Sequence, residues 1–490
     1  MTGDAASAIE TIVQYLRQGN AETASEVAEE ALRKTPEHPG LVALHGISLF
    51  QLGNLSSAEA RLQKALELGP ATPAIYYHLG LLAEQKGAAD IAANNYEKAL
   101  SLDAGHYPAL LNRGNCLFQQ GLLSEAEKCF LAALAMSSDQ RIHKNLGVIG
   151  IERNELNIAE HHFREALIAE PNWEEAQLNL SFCLLKQQRY REGWKLYEAR
   201  LKADAQRRIN TPDLPAWDGR SGSKVLIWTE QGIGDAVMFL SLIPEIMARS
   251  ECVGVFTDKR LHSILARSFG PDLALLDADD AIDVSEIYDA QASIESCPQF
   301  FRSSPEDFIG KKSGYMAVDS QLRERFRAQF ESQSTRKLKL GLSWRTINAE
   351  VGSRRTIPFK SLLGVLPSND CHLINLQYGD IDFELELCRR HGFHMSHPEG
   401  VDFKKDLDAF AATVAACDYV VTIDNSTAHF SGAIGIPQTV LLPYVCDWRW
   451  GVAENAIWYD RCHLARQRQR GEWSAPLDRI SRDVEALLRG

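Results

Sequence analysis

No apolar stretch in this chain approaches the ~20 residues that a bilayer-crossing helix needs. Runs such as Ala411–Ala416 and Val440–Val445 are far shorter, so no membrane span is expected. The first ten residues, MTGDAASAIE, lack both a basic segment and an apolar segment, and no secretory signal is expected. Positive charge is in deficit: 52 Lys and Arg stand against 65 Asp and Glu, a net charge of −13. That balance argues against a nucleic-acid reader, which normally presents a basic face, although it leaves room for a small basic pocket. The ten cysteines never fall in a CxxC pair. Cys116, Cys183, Cys388 and Cys417 sit in apolar contexts, where cysteine acts as a small buried hydrophobe. A reducing, cytoplasmic setting is therefore expected. His391, His394 and His397 are close in sequence, but a zinc site would need a fourth ligand, so an ordinary strand-and-loop role is the preferred reading and no metal is expected.

What is present first is repetition. Small residues recur at Ala24, Ala58, Ala92, Ala126, Ala159 and Gly193, spaced by 34 or 33 residues. Ala31, Ala65, Ala99, Ala133 and Ala166 follow each of the first five by seven, and Arg200 breaks the series. Between them lie Ala28, Leu62, Tyr96, Phe130, Phe163 and Tyr197. Gly46, Gly80, Gly114 and Gly147 recur in the first helix of successive units, and Gly19, Gly53, Gly87 and Gly121 mark turns. Such a period predicts helix pairs that bury their apolar faces only by stacking into a superhelix with a concave groove. Spacing and residue types resemble the tetratricopeptide repeat (TPR), and about six units cover residues 1–203. The last unit is atypical, with Trp194 beside the small-residue position, as expected of a repeat that caps the stack or docks on a neighbour. Pro212, Pro215, Gly219 and Gly222 mark residues 204–223 as a linker.

From Lys224 the pattern changes to alternating strand and helix. Val225–Thr229, Val253–Thr257, Leu273–Leu276, Lys339–Trp344, Leu373–Gln377, Tyr419–Asp424 and Thr439–Pro443 read as strands. Alternation of this kind predicts parallel sheets with right-handed crossovers. Two Rossmann-like lobes are expected, 224–335 and 336–490, with ligands at the carboxyl ends of the strands.

Four strand ends carry candidate chemistry. Glu230–Asp235, EQGIGD, stands where the first strand turns into a helix. Gly232 and Gly234 supply part of a dinucleotide fingerprint, and Asp258 ends the second strand as a ribose-binding acid would, which gives an NAD-dependent enzyme as one alternative. The third glycine is replaced by Val237, and Asp235 puts a carboxylate where a pyrophosphate would approach. That carboxylate suits a general base, with a helix cap as its bland alternative. Trp344-Arg345, followed by Gly352-Ser353-Arg354-Arg355, offers guanidinium forks for a diphosphate. Gln377 and Tyr378 either edge a base or sugar pocket or simply pack the strand end. In Thr422–Pro437, TIDNSTAHFSGAIGIP, a strand ends at Asp424 and a helix starts at once with Asn425, Ser426 and Thr427, followed by His429. Free N–H groups there make an anion site; the alternative is a capped unit with a buried histidine.

EQGIGD, GLSWR, the arginine pair, and DNSTAHFSGAIGIP followed by Asp447-Trp448-Arg449-Trp450 together resemble bacterial TPR-linked glycosyltransferases related to the heptosyltransferase family, which have the GT-B fold. The resemblance implies that Asp235 is the catalytic base. It implies that a nucleotide-sugar, the substrate in a reaction without a cofactor, is bound by Asp424, Ser426, Thr427 and His429. The strand-end placement adds Gly234, Arg345, Arg355, Gln377, Tyr378 and Asn425 to the expected donor side. The architecture also resembles protein O-glycosyltransferases whose repeats recruit a polypeptide, some of which modify flagellin. Heptosyltransferases lack the repeats, and Lys360 only loosely matches their lysine, so heptose itself is not implied. The expected activity is metal-independent glycosyl transfer to a protein held by the repeats. The alternatives are a TPR scaffold with an inactive transferase-like domain, or the NAD-dependent enzyme above.

Overall fold

The computed structural model describes residues 2–203, 214–277, 284–308, 314–346 and 352–489; the first half of the expected linker, 204–213, lies outside them. Contacts divide the chain into two compact units: Met1–Gly150 with His161–Pro171, and Ile151–Glu160 with Asn172–Gly490.

The first unit is a stack of helix pairs: Thr2–Arg17 with Ala21–Lys34, Pro39–Gln51 with Leu55–Leu68, Pro73–Gln85 with Ala89–Leu102, and Tyr107–Gln119 with Leu123–Leu134. Most of Gln140–Glu152 and Leu156–Ala169 completes it. Ala24, Ala58, Ala92 and Ala126 are fully buried, as are Ala65, Ala99, Ala133 and Ala166. The glycines at mid-helix have a specific partner. A Cβ on Gly80 would meet the Tyr96 ring at 2.4 Å, on Gly114 the Phe130 ring at 2.5 Å, and on Gly147 the Phe163 ring at 2.7 Å. Each glycine thus vacates the space that the aromatic residue of its own repeat fills. Gly19, Gly53, Gly87 and Gly121 turn the chain at φ of 73–79°, where a side chain is disfavoured. Asn154 and Gln188 hold the corresponding positions of the last two repeats at φ 61° and 64°.

The second unit holds two parallel sheets. The first contains β1 (Lys224–Trp228), β2 (Cys252–Phe256), β3 (Leu273–Leu276) and β4 (Ala290–Ser293) in the order β3-β2-β1-β4. The second contains β5 (Leu338–Ser343), β6 (Cys371–Asn375), β7 (His394–Ser396), β8 (Tyr419–Ile423), β9 (Gln438–Leu442) and β10 (Cys462–Arg466) in the order β10-β9-β8-β5-β6-β7. Every residue of β5, β6, β8 and β9 is buried, which is why these strands read as near-continuous apolar runs. The fold is therefore a helical repeat array followed by an α/β region. β4, β7 and β10 were absent from the sequence expectation: AQAS and HMS are short and weakly apolar, and CHLAR is interrupted by His463 and Arg466. The described end of the expected linker also runs along the first sheet, with Gln291 N donating to Pro215 O at 2.9 Å and Trp217 buried.

The terminal repeat belongs to this second unit. Its helices, Glu174–Lys186 and Tyr190–Tyr197, place Trp194 at 1% exposure, where its Nε1 donates to Arg302 O at 2.7 Å. Trp194 meets Trp448 edge-on at 5.4 Å and Phe239 at 6.4 Å. Those contacts account for a large indole beside a position that is small in the other repeats. Among the described residues no helix is long and apolar enough to cross a membrane.

Candidate functional site

A cavity of about 600 Å3 opens where the carboxyl ends of the two sheets meet. Its wall is made of residues that follow strands: Gln231 to Asp235 after β1, Arg260 after β2, Thr346 and Arg355 after β5, Tyr378 after β6, Phe403 and Lys404 after β7, Asp424 to Ser426 after β8, and Asp447 with Arg449 after β9. In both sheets the strand order reverses beside contributors to this wall, between β1 and β4 and between β5 and β8. Crevices at such switch points are where open α/β sheets bind ligands.

Two helices begin at the cavity, Ile233–Phe239 and Ser426–Ile434. Gly234 lets them approach: a Cβ there would lie 3.1 Å from His429 Cδ2 and 3.2 Å from Ser426 Cα. Asp235 lies in the first turn of its helix, whose N-cap position is Gly232, so its carboxylate is not the cap. It faces Arg449 instead, with Nε 2.8 Å from Oδ1. Arg449 also binds Asp447 through NH1 at 2.9 Å and Gln231 through NH2 at 2.7 Å. On the other side Arg355 has NH2 3.9 Å from Asp447 Oδ2 and NH1 3.2 Å from Asp424 Oδ2. Opposite charges therefore alternate along the wall, from Asp235 through Arg449, Asp447 and Arg355 to Asp424. Among the described residues, Arg449 and Arg355 are the guanidinium groups that alternate with these three carboxylates. Burial, only partly offset by Arg355, raises the Asp424 pKa to about 6, and Asp447 adds to the rise. Burial also works against ionisation of Asp447, but the attraction of Arg449 and the bonds it donates hold that carboxyl below its ordinary value.

The helix Ser426–Ile434 is capped by Asn425, whose side-chain oxygen accepts from Thr427 N at 3.0 Å while its Nδ2 donates to Ser343 Oγ at 2.8 Å. Its first turn thus presents Ser426 to the cavity and fixes the end of β8 to the end of β5. His429, 5% exposed, stacks on Trp450 at 5.2 Å and pairs its Nδ1 with the Tyr459 hydroxyl at 2.9 Å. Burial, reinforced by Arg449, drops its pKa to about 3, so the ring is neutral at physiological pH. Trp450 Nε1 in turn donates to Asp424 Oδ1 at 2.7 Å. At the rim, Lys404 Nζ lies 5.4 Å above the Tyr378 ring, and Arg260 grips Asp258 at 2.6 Å.

Of the residues expected from sequence, the cavity brings together Gly234, Asp235, Arg355, Tyr378, Asp424, Asn425, Ser426 and His429. Arg345, Gln377 and Thr427 are not part of its wall. Arg345 turns away, with NH1 2.8 Å from Glu384 Oε1. Gln377 is buried behind the strand ends, where its Oε1 accepts from the backbone of Trp344 at 3.3 Å and of Arg345 at 3.1 Å. Thr427, the second residue of its helix, is buried at 2% exposure. Arg354 reaches Glu152 at 3.0 Å. Asp447 and Arg449 carry no expected role from sequence; their signal is a carboxylate and a guanidinium a few residues beyond the end of β9. Gln231 and the aromatic wall of Phe403, Phe410 and Phe430 were not anticipated. The three histidines are dispersed: His391 Nδ1 bonds Leu387 O, His394 Nε2 pairs with Ser396, and His397 Nδ1 pairs with Asn375. Among the described residues no group of three or more His, Cys, Asp and Glu is placed to hold a metal ion. All ten cysteines are free.

Comparison with known proteins bears on the N-terminal region most directly. Residues 46–87 match the TPR repeat family, and residues 83–146 match the tetratricopeptide repeat family. These units are TPRs. Over 320 residues the chain is 29% identical to Protein FlbA of Caulobacter vibrioides, a match covering 61% of this chain and 53% of FlbA. The chain thus spans about half the length of that curated relative. Similar solved structures include PilW, a widely conserved type IV pilus biogenesis factor (21% identity, 41% of this chain and 94% of PilW, TM-score 0.36). Another is YrrB, a TPR protein with an unusual peptide-binding site (20% identity, 34% of this chain and 88% of YrrB, TM-score 0.31).

Proposed function

We propose that this protein is a glycosyltransferase of GT-B type that moves a sugar from a nucleotide-sugar to a protein acceptor recruited by the TPR array, flagellin being one candidate. The observation that carries the reading is the strand-end cavity, whose wall holds both a carboxylate in the first turn of one helix, Asp235, and the N-terminus of a second, Ser426–Ile434. Asp235 takes the proton from the acceptor hydroxyl as that oxygen bonds the sugar's anomeric carbon. The bond from that carbon to the donor phosphate breaks, and the nucleotide leaves with its charge met by Arg355 and by the positive end of the helix that starts at Ser426. Guanidinium groups in this wall supply the positive charge that other transferases draw from a divalent ion. Tyr378, Phe403 and Phe410 offer flat or apolar surface for a base.

A thermal-shift screen over UDP, GDP, CMP and ADP tests the donor half of the reading. One nucleotide should stabilise the full chain, by about 2.7 kcal/mol at ~100 times its dissociation constant. Arg355→Ala should weaken that binding at least tenfold, with or without chelator, because a charge-assisted bond to phosphate contributes roughly 1.5–3 kcal/mol. Absence of a shift with every nucleotide would favour the scaffold reading. A shift with NAD alone would favour the dinucleotide enzyme, although Asp258, its ribose acid, is already engaged by Arg260.

A further inference from the structure

We propose that the terminal TPR is part of the reaction site, with Tyr197 as a positioning residue for Asp235; the inference rests on the transferase reading. Tyr197 is the last residue of the helix Tyr190–Tyr197 and is 2% exposed. Its hydroxyl accepts from Gln231 Nε2 at 2.7 Å, and Gln231 Oε1 accepts from Arg449 NH2 at 2.7 Å. Arg449 then faces Asp235 at 2.8 Å. A second connection runs beside the first. Arg200, 7% exposed, holds Glu230 through NH2 at 2.6 Å and through Nε at 3.0 Å, and its guanidinium lies 4.5 Å over the Tyr197 ring. The Tyr197 ring also meets Trp448 edge-on at 5.5 Å, and Arg449 lies over the other ring of that contact, 4.6 Å from Trp448. Two adjacent residues of the turn after β1, Glu230 and Gln231, are therefore held by two residues three apart at the end of the terminal repeat, Arg200 and Tyr197.

Of these two residues, Tyr197 keeps the aromatic position of the series Tyr96, Phe130 and Phe163, while Arg200 breaks the series beside it. Arg200 replaces the alanine of the preceding repeats. A guanidinium that serves two carboxylates has several ways to sit, and Gln231 selects one of them by taking up a third face of Arg449. The Tyr197 hydroxyl in turn fixes which way the Gln231 amide points. Loss of that hydroxyl leaves the fold's packing in place while releasing the far end of the chain, and small displacements of a catalytic group are costly.

The test uses the full-length protein and two single-atom deletions in one helix, Tyr197→Phe and Tyr190→Phe. Tyr197→Phe keeps the ring against Trp448 and Arg200 and should lower turnover roughly tenfold, with the donor's dissociation constant unchanged within twofold. Tyr190→Phe should turn over as the wild type does. A 13C carboxyl titration, with Asp235 assigned by Asp235→Asn, reads the same linkage without any substrate. The Asp235 pKa should rise in Tyr197→Phe, because Arg449 no longer sits firmly beside it. Wild-type turnover in Tyr197→Phe, or turnover and donor affinity falling together, would overturn the proposal, as would an unmoved Asp235 titration. If the wild type transfers no sugar from any donor, the transferase reading fails by itself, and the titration alone decides whether Tyr197 positions Asp235.

Discussion

The terminal repeat and the repeats before it share a spacing but not a purpose. In the middle repeats a glycine gives way to a ring of the same repeat, as Gly80 does to Tyr96 and Gly114 to Phe130. In the terminal repeat the aromatic partner, Tyr197, is spent on Trp448 and Gln231, and a buried arginine replaces the second alanine. The first arrangement closes each unit on itself and its neighbours. The second commits the repeat to the α/β unit, so the boundary set by contacts lies one repeat earlier than the end of the period. Periodicity reports how a segment was built, whereas burial reports what it is now packed against.

That contrast is broken most severely at Trp194. Trp194→Ala removes a fully buried indole and a hydrogen bond, and should destabilise the α/β unit by about 3–5 kcal/mol, read as the urea midpoint of the transition reported by tryptophan fluorescence. Gly114→Ala should cost less, about 1–3 kcal/mol, because the Phe130 ring must shift. Its effect should stay within the repeats and leave nucleotide affinity unchanged, as calorimetry would show; a loss of affinity would mean that the two units are energetically joined. A smaller effect should come from Ser426→Ala, which removes one neutral donor at the helix start and should weaken nucleotide binding by about 0.5–1.5 kcal/mol, well short of Arg355→Ala. The remaining test reads a slope rather than a single value. His429 has its pKa lowered to about 3 in the folded protein. Its stabilising contribution is therefore complete above the unfolded value near 6.5 and declines as pH falls toward 3. Asp424, raised to about 6, acts in the opposite sense over an overlapping range, since its proton is bound more tightly when folded. His429→Gln should accordingly lose less stability than the wild type between pH 6.5 and pH 4, measured by denaturant titration at each pH. An unchanged slope would mean that the imidazole is accessible to protons.

The repeats were legible because position after position recurs at one spacing, and the long strands because a strand buried on both faces must be apolar throughout. β4, with AQAS, offers no such run, and its place beside β1 depends on pairing with a partner more than sixty residues earlier. The strand ends announced Asp235, Asp424 and Ser426, since each stands directly where an apolar run gives way to a helix. Pairing across distance was not legible. Arg345 looked equivalent to Arg355, yet Glu384 lies within reach of the first and Asp424 with Asp447 within reach of the second. Gln377 has the polarity of a ligand group and is used to hold backbone N–H groups. Arg449 was visible only as a basic residue between two tryptophans, because nothing local tells that three partners, from strand ends of both sheets, converge on it.

The central claim is that the strand-end cavity transfers a sugar with Asp235 as its base. It is tested most directly by following nucleotide release from a panel of nucleotide-sugars, with candidate protein acceptors scored in parallel by intact mass, for wild type and Asp235→Asn in the presence of EDTA. The account predicts release coupled to a gain of one sugar mass on the acceptor in the wild type. It predicts a rate lower by roughly 10²–10⁴-fold in Asp235→Asn, with nucleotide affinity retained in both. Transfer by Asp235→Asn at the wild-type rate, or a wild type that binds acceptor yet releases nucleotide from no donor, would contradict it.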